Sequence, residues 1–322
     1  RTPDLKELYA SFSAPFRAYF DSLEFIFTPP DTFDAHVILD SLSVSNALKD
    51  IIPNDSINGI LNVNLKAHGD YENPLFYGKL EIIDGHYTNK EIGVKYDHIQ
   101  AAANFDGKKV TLDTLLVKQK SGLFSITGEV EFDSTIVKGN IVSSSLTADA
   151  NNFFLAQHRN YDILIDAKTF VKTGNTNPEF GGNIKVIRSD IFLPAFMSSN
   201  KGIDENNIPM LVEALNPKPD SVQLKIKTQK QISKSEKIQE ALLDKLTGKL
   251  NVEIPRNTWI KSDDMRIELR GDVDIVKTGP YFELFGNIDI VRGQYILYGK
   301  KLKIQESQII FQGGEELDPN LN

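Results

Sequence analysis

The sequence predicts an all-β protein, an elongated, curled antiparallel sheet with an apolar interior and a few short peripheral helices. Strand-like runs of alternating apolar and polar residues recur at intervals of about ten residues, and little helical periodicity separates them. A phrase that opens with a glycine followed by alternating apolar residues occurs three times, at Gly78, Gly182 and Gly286. Both intervals are 104 residues. Equal spacing is typical of a repeated structural unit, although an insertion balanced by a deletion gives the same spacing.

The composition excludes several functional classes. With 40% hydrophobic and 25% charged residues, the chain has the composition of an ordinary water-soluble protein, and no run approaches the roughly 20 apolar residues of a membrane-spanning helix. A net charge of −8 argues against a nucleic-acid partner, because phosphate binding requires clustered Lys and Arg. The absence of Cys excludes disulfides and thiolate sites. The chain has neither an initiator Met nor a signal-peptide pattern, so we expect it to be part of a longer protein.

Residues 1–23 are predicted to form a helical N-terminal segment. Thr2 precedes a proline, which is a favoured start for a helix, and Leu8 and Phe12 continue at helical spacing until Pro15. A second short helix is predicted after this proline, with its aromatic residues on one side. Such an element either lies on a membrane surface or packs its aromatic side chains against the sheet.

Residues 24–221 are predicted to form groove-like strand repeats. The pair Asp106 and Gly107 predicts a hairpin between two of the strands, and residues 136–142 are predicted to form a strand. Residues 192–219 break the alternation with several prolines and a polar stretch, which predicts a loop insertion.

Residues 222–322 are predicted to form a second β region. Ser233 and Glu236 have the spacing of a capping box, and the residues after them carry apolar side chains on one helical face. A helical insertion is therefore predicted at about 233–247, followed by a return to strands.

The predicted strands have one apolar and one polar side. Leu250, Val252 and Ile254 alternate with Asn251 and Glu253, and alternate residues of a strand lie on opposite faces of a sheet. Such an apolar face is buried if two sheets pack together, if the sheet closes on itself, or if it curls into a trough. Strands of five to seven residues span about 17–20 Å, wide enough to surround acyl chains. Burial stabilises each methylene by about 0.8 kcal/mol relative to water, so a trough would retain a long acyl chain.

We predict that apolar residues at alternate strand positions line this groove. The predicted lining residues are Leu80, Ile82, Ile184, Val186, Leu224, Ile226, Leu250, Val252, Ile254, Ile267, Leu269, Ile288, Ile290, Leu302, Ile304, Ile309 and Phe311. If the apolar face is sealed, the same residues are ordinary sheet core. Arg188 and Arg292 recur at one place in the repeated phrase. They either contact anionic lipid headgroups at the groove mouth or pair with an acid on a neighbouring strand, such as Asp289.

The sequence predicts no enzyme active site, no metal site and no cofactor. None of the five His residues has the close-pair spacing of a metal site, and the nucleophile-elbow, Walker and dinucleotide-binding motifs are missing. Carboxylate pairs such as Asp263 and Asp264 lie at predicted turns, where solvation is expected. A glycan-processing enzyme on a β scaffold would instead require inward-facing carboxylates that converge in a cleft.

The C-terminal part of the chain resembles a known family. The motif reads GNIDIVRGQY from Gly286 to Tyr295, and it is preceded by IPRNTWI, which starts at Ile254. Further matching segments are Tyr298–Gly299, Leu302–Ile304, Ile309–Phe311 and Asp318–Leu321. These residues resemble the C-terminal conserved domain of the TamB family, which is related to the AsmA-like repeating β-groove proteins. The resemblance covers about residues 222–322, and the helix predicted within that range departs from the family pattern.

The resemblance implies a β-groove, also called a β-taco, in the periplasm of a Gram-negative bacterium. The implied full-length protein is anchored in the inner membrane and reaches the outer membrane. Its implied functions are to conduct phospholipid or another acyl-chain lipid between the membranes, to assist outer-membrane protein assembly with a TamA-like outer-membrane β-barrel partner, or both. The alternative is a structural or adhesive β-solenoid or sandwich module with a sealed apolar core, which transports nothing.

Overall fold

The structure is a computed structural model, and it forms two compact units. It describes residues 6–15, 17–21, 24–28, 32–45, 56–89, 94–158, 161–174, 177–193, 245–304, 307–314 and 320–321. Strands account for nearly all of these residues. In this part of the chain, no helix has both the length and the apolar character needed to span a membrane.

The first unit is built from antiparallel strands. Its strands are β1 (Glu7–Ser13), β2 (Arg17–Asp21), β3 (Glu24–Thr28), β4 (Thr32–Ser43), β5 (Ser56–Asp70), β6 (Leu75–Asn89), β7 (Val94–Gly107), β8 (Lys109–Lys118), β9 (Leu123–Phe132) and the start of β10 (Ile141–His158). β2 and β3 form a separate two-stranded sheet. The other strands follow the order β1-β4-β5-β6-β7-β8-β9-β10. The hairpin predicted at Asp106 and Gly107 is confirmed between β7 and β8, where Asp106 pairs with Lys109.

The second unit contains a parallel strand pair. Its strands are the rest of β10, most of β11 (Tyr161–Thr173), β12 (Glu179–Phe192), β13 (Thr247–Lys261), β14 (Met265–Lys277), β15 (Glu283–Leu297), β16 (Lys300–Ile304), β17 (Ser307–Gln312) and β18 (Asn320–Leu321). β12 pairs with β13 in parallel, from Glu179 opposite Thr247 to Phe192 opposite Lys261. The predicted antiparallel sheet is therefore confirmed except at this pair. A parallel pair requires a long return connection, and the chain between β12 and β13 supplies it.

The sheet is open and curled within each unit. β1 is an edge strand of the first unit and β18 is an edge strand of the second. Thr135 Oγ1 donates a hydrogen bond to the Pro74 carbonyl oxygen at 2.6 Å, which joins the segments before β6 and after β9. In the second unit, the rings of Phe180 in β12 and Phe282, just before β15, lie 6.1 Å apart. Strands three positions apart in a flat sheet are separated by about 14 Å, so the sheet bends toward itself at both places.

Bulges interrupt the pairing register within several of the long strands. The pairing register shifts between Leu39 and Leu42 in β4, between Ile82 and Gly85 in β6, and between Ile254 and Thr258 in β13. Residues with a left-handed backbone lie within these shifts, namely Ser41, Asp84 and Asn257, with φ of 62°, 50° and 78°. Bulges bend a strand and increase its twist, so we expect a local kink in each of these strands.

The three repeated glycines occupy equivalent positions within strands. Gly78, Gly182 and Gly286 have φ of 130°, 133° and 122°, a region that side chains rarely adopt. A Cβ at each would lie 2.0, 2.1 and 2.2 Å from a backbone oxygen of the preceding strand, so no other residue fits. The equal spacing does not correspond to an equal number of described strands, because five strands lie between the first two glycines and two lie between the last two, with residues 194–244 outside the described part of the chain.

Two secondary-structure predictions are wrong. The N-terminal segment is not helical, because β1 pairs with β4 and places Leu8 opposite Leu39 and Phe12 opposite Ala35. Leu8 and Phe12 satisfy a two-residue period as well as a helical one, and pairing with β4 decides between them. The strand predicted at 136–142 instead begins with a 3₁₀ helix, in which the Thr135 side chain accepts a hydrogen bond from the Val137 N–H. The insertions predicted at 192–219 and 233–247 lie largely outside the described residues.

Candidate functional site

The first unit presents an apolar face made of rows of side chains in direct register across its strands. One row runs from β4 to β8 through Leu39, Val63, Leu80, Ala103 and Leu112. A parallel row runs through Leu42, Leu61, Ile82, Ala101 and Leu115. The opposite side, the polar face, carries rows such as Asn64, Lys79, Asn104, Thr111 and Glu129. Strand alternation thus separates apolar and polar side chains across the unit.

The second unit has an apolar face of the same construction. One row runs from β12 to β17 through Ile184, Val252, Val273, Gly286 and Phe311. The next runs through Ile254, Gly271, Ile288 and Ile309. Beyond the bulges, a further row runs through Ile191, Ile260, Ile267, Gly293 and Ile304. Apolar side chains therefore continue from strand to strand on one side.

Most of this apolar surface is only half-buried. In the second unit, Ile267, Leu269 and Val273 are 5–7% exposed, whereas Ile288 and Ile309 are intermediate in exposure. The strand β5 shows the same pattern, with every residue of its apolar face intermediate in exposure. Aliphatic side chains in a sealed core are usually fully buried, so the rest of the described chain covers this face only in part.

The structure places fifteen of the seventeen predicted lining residues on the apolar faces of the two units. Leu302, opposite Tyr295 at the end of its row, is exposed. Leu224 and Ile226 lie outside the described residues. Contact of these side chains with lipid stays a prediction. Other members of the same rows, such as Val63 and Leu112, were not predicted, although they alternate with polar residues in the same way.

On the polar face of the second unit, hydrogen-bonded charges connect neighbouring strands. Asp274 lies 2.8 Å from Lys249 Nζ, and the hydrogen bond from this lysine is the main cause that lowers the pKa of the carboxyl group. Asp289 accepts hydrogen bonds from Arg270 at 2.9 Å and from Gln308 at 3.0 Å. Arg270 is the main cause of the lowered pKa of Asp289. Both carboxylates are therefore charged at neutral pH and join their strands to the next.

Arg292 lies on the polar face, in register with Glu268. Its Nε donates to the Glu268 carboxylate at 2.5 Å, and Glu268 is 2% exposed. Burial by itself raises the pKa of Glu268. The opposing effects are larger and lower this pKa, namely the hydrogen bonds from Arg292 and from the Asn257 N–H and the charge of nearby arginines. The guanidinium groups of Arg292 and Arg266 lie 5.1 and 4.4 Å from the Trp259 ring centre. The partner of Arg292 is Glu268, whereas the predicted partner, Asp289, binds Arg270.

Arg188 also has an acidic partner on a neighbouring strand. Its guanidinium donates to both carboxylate oxygens of Asp162 at 3.0 and 3.3 Å, and it lies 5.7 Å from the Phe154 ring centre. Cross-strand ion pairing thus accounts for the placement of both recurring arginines. A headgroup contact stays a prediction for them.

Two hydroxyl groups interrupt the apolar face of the second unit. Ser189 and Thr258 lie opposite each other in the parallel pair, in one row with Leu269 and Ile290. They are 2% and 6% exposed, and neither hydroxyl oxygen has a hydrogen-bond partner. An unpaired buried hydroxyl costs about 1–3 kcal/mol. This pair could not be predicted from the sequence, because it depends on the parallel register of β12 and β13.

A tyrosine pair adds polar-tipped aromatics to the apolar face of the first unit. Tyr87 and Tyr96 lie opposite each other on β6 and β7, with ring centres 6.3 Å apart. Burial raises the pKa of Tyr96 to about 12. The phenol therefore stays neutral across the physiological pH range, as an apolar surface favours.

These features define a class of protein, a β-sheet scaffold that offers extended apolar faces. Among the described residues, no group of three or more His, Asp or Glu side chains is arranged to hold a metal ion. The family described as the TamB C-terminal domain matches residues 111–322, two thirds of the chain, and the chain belongs to this family. The match begins well before residue 222, where the resemblance was expected to start.

One relative is similar along most of the chain. It is the translocation and assembly module subunit TamB of Haemophilus influenzae, 22% identical over 284 residues. The aligned region covers 88% of this chain and 20% of the relative, so the chain spans about a fifth of that protein's length. No solved structure matches the chain.

Proposed function

We propose that the chain is a segment of a periplasmic conduit that carries phospholipid, or another acyl-chain lipid, along its apolar faces. The observation that supports this most directly is the combination of continuous apolar rows with incomplete burial. Leu80 lies in register with an apolar residue on each neighbouring strand, and Ile288 lies in register with a glycine on one side and an apolar residue on the other. Both side chains are nevertheless only half-buried. An apolar surface of this kind needs an apolar occupant.

The physical basis is the small free-energy change of moving a lipid from a membrane to an apolar groove. Transfer of a methylene from water to an apolar surface is favourable by about 0.8 kcal/mol, so an acyl chain does not escape into water. Transfer from the membrane interior exchanges one apolar surface for another and is nearly neutral. Rows without large gaps let the chain slide from strand to strand, while the charged side chains of the polar face stay hydrated.

Membership of the TamB C-terminal domain family supports a place for this conduit in the envelope of a Gram-negative bacterium. The relative is named as a subunit of a translocation and assembly module. We therefore propose that the full-length protein is anchored in the inner membrane, reaches the outer membrane and works with a TamA-like partner. In this proposal it assists the assembly of outer-membrane proteins directly or by supplying lipid, and it catalyses no reaction.

Neighbouring isoleucines on opposite faces provide the test. Ile309 lies on the apolar face opposite Ile288, and Ile310 lies on the polar face opposite Asn287. In the first unit, Ile82 lies on the apolar face opposite Leu61, and Ile83 is 44% exposed on the other side. A photo-crosslinking amino acid is placed at each position in turn, and the irradiated protein is examined by native mass spectrometry after extraction from cells.

We expect lipid adducts at Ile82 and Ile309 and none at Ile83 and Ile310. Each pair has the same native residue, the same strand and the same reagent, so only the face differs. Equal capture on both faces would indicate nonspecific lipid binding. Absence of adducts at all four positions in a folded protein would indicate a sealed core, and the chain would then be a structural module that transports nothing.

A further inference from the structure

The hairpin of β15 and β16 exposes apolar and basic side chains together. Tyr298 is 96% exposed, and Leu297 and Leu302 are 42% and 47% exposed. Three exposed lysines share the same seven-residue segment, which reads LYGKKLK from 297 to 303 and contains no carboxylate. The protein as a whole has a net charge of −8, so this is a local positive surface on an acidic chain.

The tip of this hairpin is a two-residue turn. Leu297 pairs with Lys300, and only Tyr298 and Gly299 lie between them. Their φ values are 48° and 74°, and positive φ at both central residues is the pattern of a type I′ turn, which matches the twist of the flanking strands. Tyr298 therefore projects from a regular two-residue hairpin.

The positive surface continues onto neighbouring strands. Lys303 lies opposite Gln294, and Gln294 lies opposite Arg266 of β14. Arg266 is exposed and stacks on Trp259. Among the described residues, no carboxylate lies within ion-pair distance of the three hairpin lysines or of Arg266. Within the part of the chain that the structure describes, these exposed cations therefore have no acidic partner that competes with an external anion.

We propose that the β15–β16 hairpin docks the chain on an anionic phospholipid bilayer. Tyrosine is favoured where an apolar surface meets water, with its ring in the interface and its hydroxyl hydrated. Lysines beside it are attracted to anionic headgroups, and their long stems let the ammonium groups stay hydrated. Protein interfaces enrich Tyr and Arg but deplete Lys. Three lysines with two exposed leucines therefore fit a lipid surface better than an acidic protein.

The docked hairpin would bring the end of the apolar face to the membrane. Leu302 lies opposite Tyr295, and Ile304 lies opposite Gly293 in the row that leads to Ile267. The apolar rows thus continue into β16. This inference goes beyond the proposed function, because bilayer binding by the hairpin and lipid capture within the groove are separate properties, and each can fail without the other.

The first experiment measures co-sedimentation of the 322-residue chain with vesicles. We expect binding to phosphatidylcholine vesicles that contain phosphatidylglycerol, weak binding to phosphatidylcholine alone, and release at ~1 M salt, where the Debye length falls to ~3 Å. The variant K300E/K301E/K303E should lose more than about a hundredfold in affinity, since each lysine near an anionic surface contributes about fivefold. The variant K66E/K118E/K120E changes net charge equally at exposed sites elsewhere and should keep binding.

The second experiment examines the tyrosine without disturbing the turn. Asn-Gly is the preferred type I′ pair, so Tyr298→Asn retains the hairpin and should weaken vesicle binding severalfold. Because the chain has no Cys, Tyr298→Cys accepts a single environment-sensitive dye. Its emission should shift to the blue with anionic vesicles. The same dye at Val137→Cys, a residue that is 67% exposed in the first unit, should not respond.

Three results would overturn the proposal. They are absence of binding to anionic vesicles by the native chain, unchanged binding by K300E/K301E/K303E, and a dye at position 298 that does not respond while the protein binds vesicles. Retention of the native chain on immobilised polyglutamate without vesicle binding would assign the hairpin to an acidic protein partner instead. Loss of vesicle binding with intact photo-capture of lipid at Ile309 would leave the conduit in place and remove only the docking role.

Discussion

The two faces of the second unit are stabilised in different ways. On the polar face, charges such as Lys249 and Asp274, or Arg270 and Asp289, are hydrogen-bonded to each other. On the apolar face, Ile288 and Ile309 lie opposite each other and are half-buried. The polar face is thus largely satisfied within the chain, whereas the rest of the described chain covers the apolar face only in part.

The largest effect is expected from a side chain at the repeated glycine of β15. Gly286→Val places a Cβ where the Asp272 carbonyl oxygen already lies, in a strained backbone region. We expect a loss of about 3 kcal/mol or more in the free energy of unfolding, measured by urea denaturation. Gly279 has no atom within 4 Å of an added Cβ, so Gly279→Ala should change stability by less than about 0.5 kcal/mol. Equal effects at the two glycines would contradict the close approach of the strands.

A smaller loss is expected when the buried carboxylate of the polar face loses its cation. Arg292→Met leaves Glu268 buried without its ion pair and should cost about 2 kcal/mol at pH 7. Arg270→Met removes a pair that is more exposed and should cost about 0.5 kcal/mol. Urea denaturation of both variants and the native chain measures the difference.

The Arg292 effect should depend on pH. The folded pKa of Glu268 is below its ordinary value of 4.5, so the pair stabilises the fold fully above that value. The stabilisation is lost as the pH falls through the lower folded pKa. In Arg292→Met, burial without the arginine raises the pKa of Glu268, so the stability difference between the native chain and this variant should be largest near pH 7 and shrink on acidification. A difference that grows on acidification would contradict the assigned direction.

Lysine substitutions at adjacent positions on opposite faces test the difference between the apolar face and the polar face. Ile82→Lys places an ammonium group in the apolar row between Leu61 and Ala101, and should cost about 1–2 kcal/mol. Ile83→Lys replaces a side chain that is 44% exposed and should cost less than about 0.5 kcal/mol. If the conduit is correct, only Ile82→Lys reduces the lipid that co-purifies with the chain, measured by mass spectrometry. Equal lipid loss in both variants would count against separate faces.

The smallest effect is a gain in stability. Thr258→Val replaces the unpartnered hydroxyl by a methyl group of similar size on the apolar face. We expect the free energy of unfolding to rise by about 1 kcal/mol, measured by urea denaturation. Thr111, on the polar face of the first unit, serves as the control, since Thr111→Val should not stabilise the chain. A loss of stability in Thr258→Val would show that its hydroxyl has a hydrogen-bond partner after all.

The face of a strand residue could be predicted from local sequence. Leu250, Val252 and Ile254 alternate with polar residues, and pairing with β14 places all three on the apolar face. Alternation is set by a few consecutive residues, so it does not depend on which strand is the pairing partner. The spacing of Leu8 and Phe12 fits a helix as well as a strand. Only the pairing of β1 with β4 decides between the two structures.

The partners of charged residues could not be predicted, because they depend on register. A bulge between Glu268 and Leu269 shifts the pairing of β14 with β15, so that Arg292 lies opposite Glu268 and Asp289 lies opposite Arg270. The sequence shows the charged residues, but it does not show at which position the bulge between β14 and β15 accommodates an extra residue. The buried pair of Ser189 and Thr258 has the same origin, since it exists only because β12 and β13 are parallel.

The parallel pair of β12 and β13 also sets an order of events during folding. When β12 has been made, its edge has no partner until the 54 residues of 193–246 and then β13 have followed. At about 5–20 residues per second, synthesis of residues 193–246 alone takes about 3–11 s. Sheet edges left open recruit other strands, so among the described strands β12 has the edge that waits longest for its partner and is most open to mispairing during synthesis.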